Sequence, residues 1–180
     1  MTYVDRFATY LAESIRHNKP ESSSVAVLRY ALIALINQAI TMAIVLVVAA
    51  ITGDILKALA ASLLFPLLRN YSGGFHFQNA TLCNWITAAF VLVSVYVPVD
   101  FWYNGIILSG ATVVILLLNA PAGIKRSRID KKHFPVLKLV AVGIVSINFF
   151  LQIPFVSVLF FIQALTTFPF LQRIVDKLKL

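Results

Sequence analysis

Long apolar runs separated by short polar breaks make up most of this chain. Three uncharged runs, 30–53, 101–124 and 139–172, each reach the ~20 residues that a membrane-spanning helix requires, and the third is long enough for two. Gly, Pro and Asp mark the ends of these runs, as they do at helix boundaries. The pattern predicts an all-α polytopic membrane protein with about six transmembrane helices, near residues 30–52, 55–68, 82–98, 104–120, 136–151 and 154–171.

The N-terminal segment has a different pattern. From Val4 to Ile15, apolar residues recur at helical spacing, which predicts an amphipathic helix with one apolar face. Such a helix either lies along the membrane surface or packs on the loops as a cytosolic helix. Because charged residues interrupt its start, we expect no secretory signal peptide there. We expect a single domain over 1–180, with an amphipathic segment at 1–24, a helical membrane bundle at 25–172 and a basic cytoplasmic tail at 173–180.

Composition agrees with a membrane protein, since 60% of the residues are hydrophobic and only 12% are charged. The net charge of +8 is explained by orientation and does not require nucleic acid. Six crossings with a cytoplasmic N-terminus place every Lys and Arg except Lys57 on the cytoplasmic side. The second span is short, about 21 Å against a hydrocarbon core of ~30 Å, and it either crosses or enters the bilayer only partly beside residues 70–81.

The stretch RNYSGGFHFQNATLC at 69–83 differs from the spans around it. It contains the single cysteine of the chain, Cys83, together with His76, Arg69 and the pair Gly73-Gly74, which can break a helix. On one straight helix His76 and Cys83 would lie two turns apart, about 10 Å, which is too far for proton transfer. Joint action of these two side chains therefore requires a loop or re-entrant turn through residues 77–79.

The chemistry of this stretch has a functional and a structural interpretation. A cysteine thiolate is a nucleophile, and a neighbouring histidine or the N-terminal end of a helix increases the thiolate fraction. We expect Cys83 in the first turn of the third span, with Asn79 or Thr81 as the cap. Alternatively, Cys83 is a small apolar filler and His76 an interfacial anchor. Arg69 is either a cytoplasmic anchor or a group that binds a substrate carboxylate or stabilises developing negative charge.

Other polar residues are less specific. Side chains inside the predicted spans, among them Asn148 and Gln163, either bond neighbouring helices or line a site. A metal site would have to combine His17 and His133 with His76 and Cys83 from distant loops, and no ligand spacing supports this. We therefore expect no metal and no cofactor.

Several stretches together carry a resemblance to a known family. Arg69, Gly73, Gly74, His76 and Cys83, followed by NAPAGIKRSRI at 119–129 and IQALTTFP at 162–169, resemble the accessory gene regulator B (AgrB) family of bacterial quorum-sensing systems. The similarity covers nearly the whole chain, and the Arg-x-x-x-Gly-Gly-x-His frame followed by the cysteine is its specific part. It implies a multi-pass cysteine endopeptidase of the bacterial cell membrane, with cytoplasmic termini, that processes an AgrD-like propeptide into a cyclic thiolactone or lactone peptide and acts as a homodimer.

The resemblance also implies residue roles. Cys83 matches the nucleophile and His76 its base, while Arg69 and Gly74 match motif positions important for activity. For a third member that orients His76, the candidates are Ser72, Gln78 and Asn84, and we expect oxyanion donors among the backbone N–H groups near Gly73-Gly74 or Cys83. The loop that follows Pro121 carries Ala122-Gly123 where family members often have an acidic residue, so we expect no catalytic role for it.

A basic loop follows, with five cations at Lys125, Arg126, Arg128, Lys131 and Lys132. These cations can act as a topological signal, bind anionic membrane lipids, or capture the acidic tail of the propeptide.

Two functions from other classes stay open at this point. One is a small transporter or channel that exports a peptide or metabolite along a path lined by intramembrane Asn and Gln side chains. The other is a non-catalytic membrane scaffold for a sensor kinase. Substitution of Cys83 by alanine would leave transport largely intact but would abolish peptide processing.

Overall fold

In this computed structural model, the described residues are 3–75, 77, 79–123 and 130–178, without the side chains of residues 176 and 178. They contain eight α-helices and no β-strand, so the predicted all-α class is confirmed for this part of the chain. A π-helical turn, Phe101–Gly105, leads into the fifth helix, and a 3-10 turn, Lys131–His133, leads into the sixth. In chain order the helices are α1 (Tyr3–Asn18), α2 (Val25–Thr52), α3 (Ile55–Ser72), α4 (Ala80–Tyr96), α5 (Ile106–Asn119), α6 (Phe134–Leu151), α7 (Pro154–Leu165) and α8 (Pro169–Leu178).

Helix α1 packs against α2. Ala8 and Ala12 are fully buried, and such small side chains allow two helices to approach closely. Asp5 of α1 and Arg29 of α2 form an ion pair at 3.1 Å. The helix expected from the N-terminal periodicity is therefore present, whereas its location at a membrane surface stays a prediction.

The second predicted span is longer than the sequence suggested. Helix α2 ends at Gly53, whose φ of +85° and N–H bond to the Ala49 carbonyl are typical of a glycine C-cap. Helix α3 then packs alongside α2, where the Gln38 side-chain amide donates to the Ser62 backbone carbonyl at 3.1 Å. Because α3 has 18 residues, it is about 27 Å long and approaches the thickness of the hydrocarbon core.

Helix α7 lies inside the bundle. It contacts α3, α4, α5 and α6, and its Leu159, Phe160 and Ala164 belong to the same buried core as Phe65 and Leu68 of α3. A helix that is apolar on all sides is expected in such a position. Helix α7 therefore connects the α3–α4 half of the bundle to the α5–α6 half.

Buried polar side chains fix the turn between α6 and α7. Asn148 donates to the Ile153 carbonyl at 3.2 Å and to the Ser157 hydroxyl at 2.9 Å, and its side-chain oxygen accepts from the Ile153 N–H. Ser109 of α5 donates to Ser157 at 3.0 Å. Since these bonds satisfy the amide of Asn148, this cluster stabilises the turn without leaving that amide unpaired.

The outer surface of the bundle is apolar, as expected for contact with lipid. Ile51, Leu118 and Phe150 are more than three-quarters exposed. Among the residues that the structure describes, three helices are long and apolar enough to cross a membrane: Val25–Thr52, Phe101–Asn119 and Lys131–Leu151. The bent pair α7–α8 would be a fourth, and α4 is a shorter apolar helix. The number of six crossings stays a prediction.

The sixth predicted span, 154–171, is wrong as one continuous helix. Helix α7 ends at Leu165, and α8 begins at Pro169 after a bend of 66°. Thr166 and Thr167 turn their hydroxyls back to the carbonyls of Gln163 and Ala164, at 2.7 and 2.6 Å. Proline has no N–H to continue α7 and disfavours helical geometry in the residue before it, so the chain turns here. The predicted tail boundary at residue 172 consequently falls inside α8.

The predicted six-span topology can be tested with thiol chemistry. A membrane-impermeant thiol reagent should fail to label Cys83 in intact cells and should label it in inverted vesicles, because the 69–83 stretch would lie on the cytoplasmic side. The matched control is Lys57→Cys in a Cys83→Ser background, since Lys57 is exposed at the opposite end of α3. That control should be labelled from outside the cell. Labelling of Cys83 only from outside would overturn the topology.

Candidate active site

Cys83 lies in the first turn of α4. The helix begins at Ala80, and the side chain of its cap residue, Asn79, accepts hydrogen bonds from the N–H groups of Thr81 and Leu82 at 2.9 and 3.3 Å. The thiol is free and half-buried. The prediction that Cys83 lies in the first turn of its helix is confirmed, and of the two predicted caps, Asn79 and Thr81, the structure has Asn79. The helix begins at Ala80, before the predicted start of the span at residue 82. The partial positive charge of a helix N-terminus attracts negative charge that develops at this position during a reaction.

Arg69 approaches Cys83 from the last turn of α3. Its guanidinium donates to the Phe75 carbonyl at 2.5 Å, which folds the side chain back over the end of its own helix. The guanidinium and the thiol are close enough to interact electrostatically. A cation in this position can stabilise negative charge that develops at the site during a reaction.

Helix α3 ends at Ser72, and the chain continues through Gly73, Gly74 and Phe75 outside any helix. We call residues 72–75 the glycine segment. It runs parallel to the chain at Ala122, where the Gly74 N–H donates to the Ala122 carbonyl and the Ala122 N–H donates to the Ser72 carbonyl, at 3.2 and 2.9 Å. Gly73 has φ +70°, and a Cβ there would lie 1.9 Å from the Ala122 oxygen. No side chain fits at that distance, so close approach of the two chains requires glycine at 73.

The other side of the glycine segment faces the end of α7. The Gln163 amide donates to the Ser72 hydroxyl at 3.0 Å and to the Gly73 carbonyl at 2.7 Å. The Phe75 N–H donates to the Thr166 carbonyl at 3.0 Å. A Cβ on Gly74 would lie 2.5 Å from the Thr166 hydroxyl. The glycine segment is therefore held between residues 120–123 and the C-terminal end of α7.

The backbone N–H groups expected to bind an oxyanion already have partners. Gly73 donates to the Arg69 carbonyl, Gly74 to Ala122 and Cys83 to the Asn79 carbonyl, at 2.9, 3.2 and 3.0 Å. An N–H that is used in this way cannot also stabilise a developing negative charge without rearrangement. In this arrangement, Gly73 and Gly74 determine the path of the backbone. The guanidinium of Arg69 is better placed than their N–H groups to stabilise negative charge.

Two of the candidates for a third catalytic member also have structural partners. The buried Ser72 hydroxyl accepts from Gln163, as described above. Asn84 is buried toward α2, where its amide donates to the Asn37 side-chain oxygen at 3.1 Å. Both side chains therefore connect helices, and a role in orienting a histidine stays a prediction.

Part of the predicted site lies outside the described residues, namely His76, Gln78, Lys125, Arg126 and Arg128. Lys131 and Lys132 are described, and both are exposed before α6. Lys132 forms an ion pair with Asp130 at 3.1 Å, with both partners largely in solvent, so the pair contributes little to stability. Among the described residues, no group of three or more His, Cys, Asp or Glu could hold a metal ion.

A groove of about 790 Å³ lies on the far side of the N-terminal turn of α4. Helices α1, α2 and α4 form its walls, with Asp5, Asn37, Asn84 and Trp85 among the lining residues. Cys83 is not among the residues that line this groove, whereas Asn79, Thr81 and Asn84 of the same helix start are, so the groove adjoins the site.

The fold and this cluster define a helical membrane protein with a half-buried cysteine beside an arginine at one end of its bundle. The model of the family Accessory gene regulator B (AgrB) matches residues 4–174, nearly the whole chain, and the protein belongs to this family. Membership supports a role in quorum-sensing peptide processing. No significant match was found among curated proteins or among solved structures.

The sequence identified three stretches that belong to this site, 69–83, 119–129 and 162–169, but not the contacts between them. The loop at 119–129 and the stretch at 162–169 carried the family resemblance, but neither Ala122 nor Thr166 had an assigned role, and Gln163 was left open between bonding a neighbouring helix and lining a site. In the structure Ala122, Gln163 and Thr166 hold the glycine segment from both sides. The signal that could have identified Gln163 was an amide among apolar residues, but Asn148 gave the same signal and stabilises a turn at the opposite end of α7.

A series of glycine substitutions tests the close approach at Gly73. Gly53→Ala should cost about 1–2 kcal/mol, since it forces alanine into positive φ where nothing lies within 4 Å. Gly73→Ala adds a collision with a backbone carbonyl and should cost roughly 3 kcal/mol or more. Thermal unfolding of the purified protein in detergent measures both.

The control for this series is Gly143→Ala in α6, where nothing lies within 4 Å of the added Cβ. Alanine should be neutral or stabilising there, because it is the better helix former. Equal destabilisation by Gly53→Ala and Gly73→Ala would contradict the tight contact with Ala122.

Proposed function

We propose that this protein is a membrane cysteine endopeptidase that cleaves an AgrD-like propeptide and forms a cyclic thiolactone or lactone peptide. The observation that carries the proposal is the position of Cys83, half-buried in the first turn of a helix and within electrostatic range of Arg69. A helix N-terminus and a nearby cation are the two common means of activating a thiol. Family membership supports the substrate class.

The first step would be attack by the Cys83 thiolate on the carbonyl carbon at the end of the pheromone segment. A bond forms between sulfur and carbon, and the peptide bond to the C-terminal tail breaks. The departing amine takes a proton from the general acid, for which His76 is the candidate by sequence. An acyl group then remains on Cys83 as a thioester, and the tail leaves as a free peptide.

The second step would transfer the acyl group to the propeptide's own ring-forming side chain. If that side chain is a thiol, one thioester replaces another, so ring closure is close to thermoneutral. Water would compete by hydrolysing the acyl-enzyme, and a half-buried thiol beside a bundle of apolar helices restricts its access.

Arg69 would stabilise negative charge in both steps. Its charge acts on the thiolate before attack and on the tetrahedral oxyanion afterwards. The N–H groups of Gly73, Gly74 and Cys83 are already bonded, which favours the guanidinium for this role. The protein would work in the bacterial cell membrane as a homodimer in contact with membrane lipids, with cytoplasmic termini.

A blocked propeptide tests the acyl-enzyme. If the ring-forming residue of the propeptide is replaced by alanine, cleavage can proceed but closure cannot. The propeptide should then accumulate on the protein as an adduct that neutral hydroxylamine removes. Intact-protein mass spectrometry detects it.

Variants of this protein provide the controls. Cys83→Ala should give no adduct, and Cys83→Ser should be severely impaired because serine stays protonated. His76→Ala should slow adduct formation by the ~10²–10⁴-fold typical of a lost general base. A normal rate with His76→Ala would assign thiol activation to another group. If no form of the protein yields an adduct, the acyl-enzyme mechanism is wrong. Retention of full function by Cys83→Ala would instead favour a transporter or a scaffold.

The basic loop provides a second test. We propose that its cations capture the acidic tail of the propeptide in addition to setting topology. Neutralising Arg126 and Arg128 together should raise the apparent KM, with a larger effect at low salt, because exposed charges are screened. Lys57→Gln, on the opposite side in the predicted topology, is the matched control and should leave the apparent KM unchanged. Equal processing by the loop variant at low and high salt would leave only the topological role.

A further inference from the structure

Gln163 is a fully buried amide whose orientation is fixed by its partners. Its NH₂ group donates to the Ser72 hydroxyl and to the Gly73 carbonyl, at 3.0 and 2.7 Å. A carbonyl can only accept, so turning the amide over would set two oxygens against each other. The nitrogen of Gln163 must therefore face the glycine segment.

The other end of the same amide is unsatisfied. The Gln163 side-chain oxygen is buried and has no hydrogen-bond partner among the described residues. A buried acceptor without a partner is destabilising, and this cost comes from the side-chain oxygen, which leucine or methionine would not have. Packing alone therefore does not explain a glutamine at this position, unlike Asn148, whose amide bonds at both ends.

The bonds of Gln163 lead to Arg69 through the glycine segment. Gly73 lies two residues before Phe75, whose carbonyl accepts from the Arg69 guanidinium at 2.5 Å. The Phe75 N–H donates to the Thr166 backbone carbonyl. The Thr166 hydroxyl in turn donates to the backbone carbonyl of Gln163 at 2.7 Å. Gln163 and Thr166 thus fix the glycine segment at two points, and the position of the Phe75 carbonyl depends on both.

Among the ionisable groups on the helices that pack against α4, Arg69 is the charge that matters for Cys83. Helix α7 has no ionisable side chain. Arg29 of α2 pairs with Asp5, and Lys57 of α3 pairs with Asp54 at the far end of that helix. Arg69, at the end of α3, has an electrostatic interaction with Cys83. The remaining ionisable residues of α2 and α3 are Tyr30 and Tyr71.

We propose that Gln163 is a positioning residue of the active site. By holding Ser72 and Gly73, it places the Phe75 carbonyl where that carbonyl orients the Arg69 guanidinium beside the nucleophile. The inference rests on the proposed function for the identity of the nucleophile. It adds a residue on α7 that acts on the site without touching the reacting atoms.

The test measures alkylation of Cys83 in the purified protein by a small neutral reagent, iodoacetamide. Near neutral pH, Gln163→Met should react about three- to tenfold more slowly than the wild type, because a displaced Arg69 no longer favours the thiolate. Arg69→Met should slow the reaction to a similar extent. The double variant should be no slower than Arg69→Met alone, since both changes remove one effect.

Two further readouts separate positioning from a general structural role. In strongly alkaline solution, where every thiol is ionised, the rates should agree within about twofold, because access to the sulfur is unchanged. Asn148→Leu is the matched control: it removes a buried amide bonded to Ser157, which lies six residues, or about 9 Å, before Gln163 along α7. It should lower thermal stability and leave the alkylation rate unchanged.

Each other outcome contradicts the inference. The inference would be overturned if Cys83 in Gln163→Met were alkylated at the wild-type rate near neutral pH. It would also be overturned if the Gln163 and Arg69 changes had additive effects on that rate. Failure of both Gln163→Met and Gln163→Leu to fold would show that the amide is structural. Since alkylation needs no propeptide, these results stand apart from the acyl-enzyme experiment: a wild type that forms no adduct refutes the proposed function and leaves the positioning result intact.

Discussion

The close approach of two backbones at Gly73 and Ala122 is the constraint on which the rest of the site depends. Without a Cβ at residue 73, the chain that leaves α3 lies against residues 120–123 on one side and the end of α7 on the other. This fixes where α3 ends, and the Phe75 carbonyl then receives the Arg69 guanidinium. The arginine is in turn held near the N-terminal turn of α4, where Cys83 lies.

The two ends of the bundle use buried amides differently. At the turn between α6 and α7, Asn148 bonds through both its nitrogen and its oxygen, so the cluster is satisfied and serves stability. At the other end of α7, the nitrogen of Gln163 is bonded, whereas its side-chain oxygen has no partner in the described part of the chain. Functional sites commonly retain such local costs, which the surrounding structure must compensate. The apolar core shared by α3 and α7 is the part of this molecule able to do so.

An apolar bundle is also a suitable environment for acyl transfer. A thioester on a half-buried cysteine is exposed to less water than one at the surface, and charges near it act through a medium less polarisable than water. A single well-placed cation then has a large effect on a thiolate or an oxyanion. A site with few polar groups among the described residues would in this way suffice for the proposed two-step reaction of cleavage and closure.

The sequence by itself determined the helical class, the family, the location of Cys83 in the first turn of a capped helix, and the break between α3 and α4. Each of these follows from local signals: long apolar runs, a capping side chain, and a glycine pair. The broken helix at Thr166 also had a local signal, Pro169, which the continuous apolar run concealed. Only the tertiary structure decided that residues 120–123 and Gln163 hold the glycine segment, and that Ser72 and Asn84 bond neighbouring helices. Those contacts join residues 47 to 91 positions apart. Helical periodicity specifies which face of a helix is apolar, but not which buried amide meets which backbone carbonyl across the bundle, because that depends on the packing of the core.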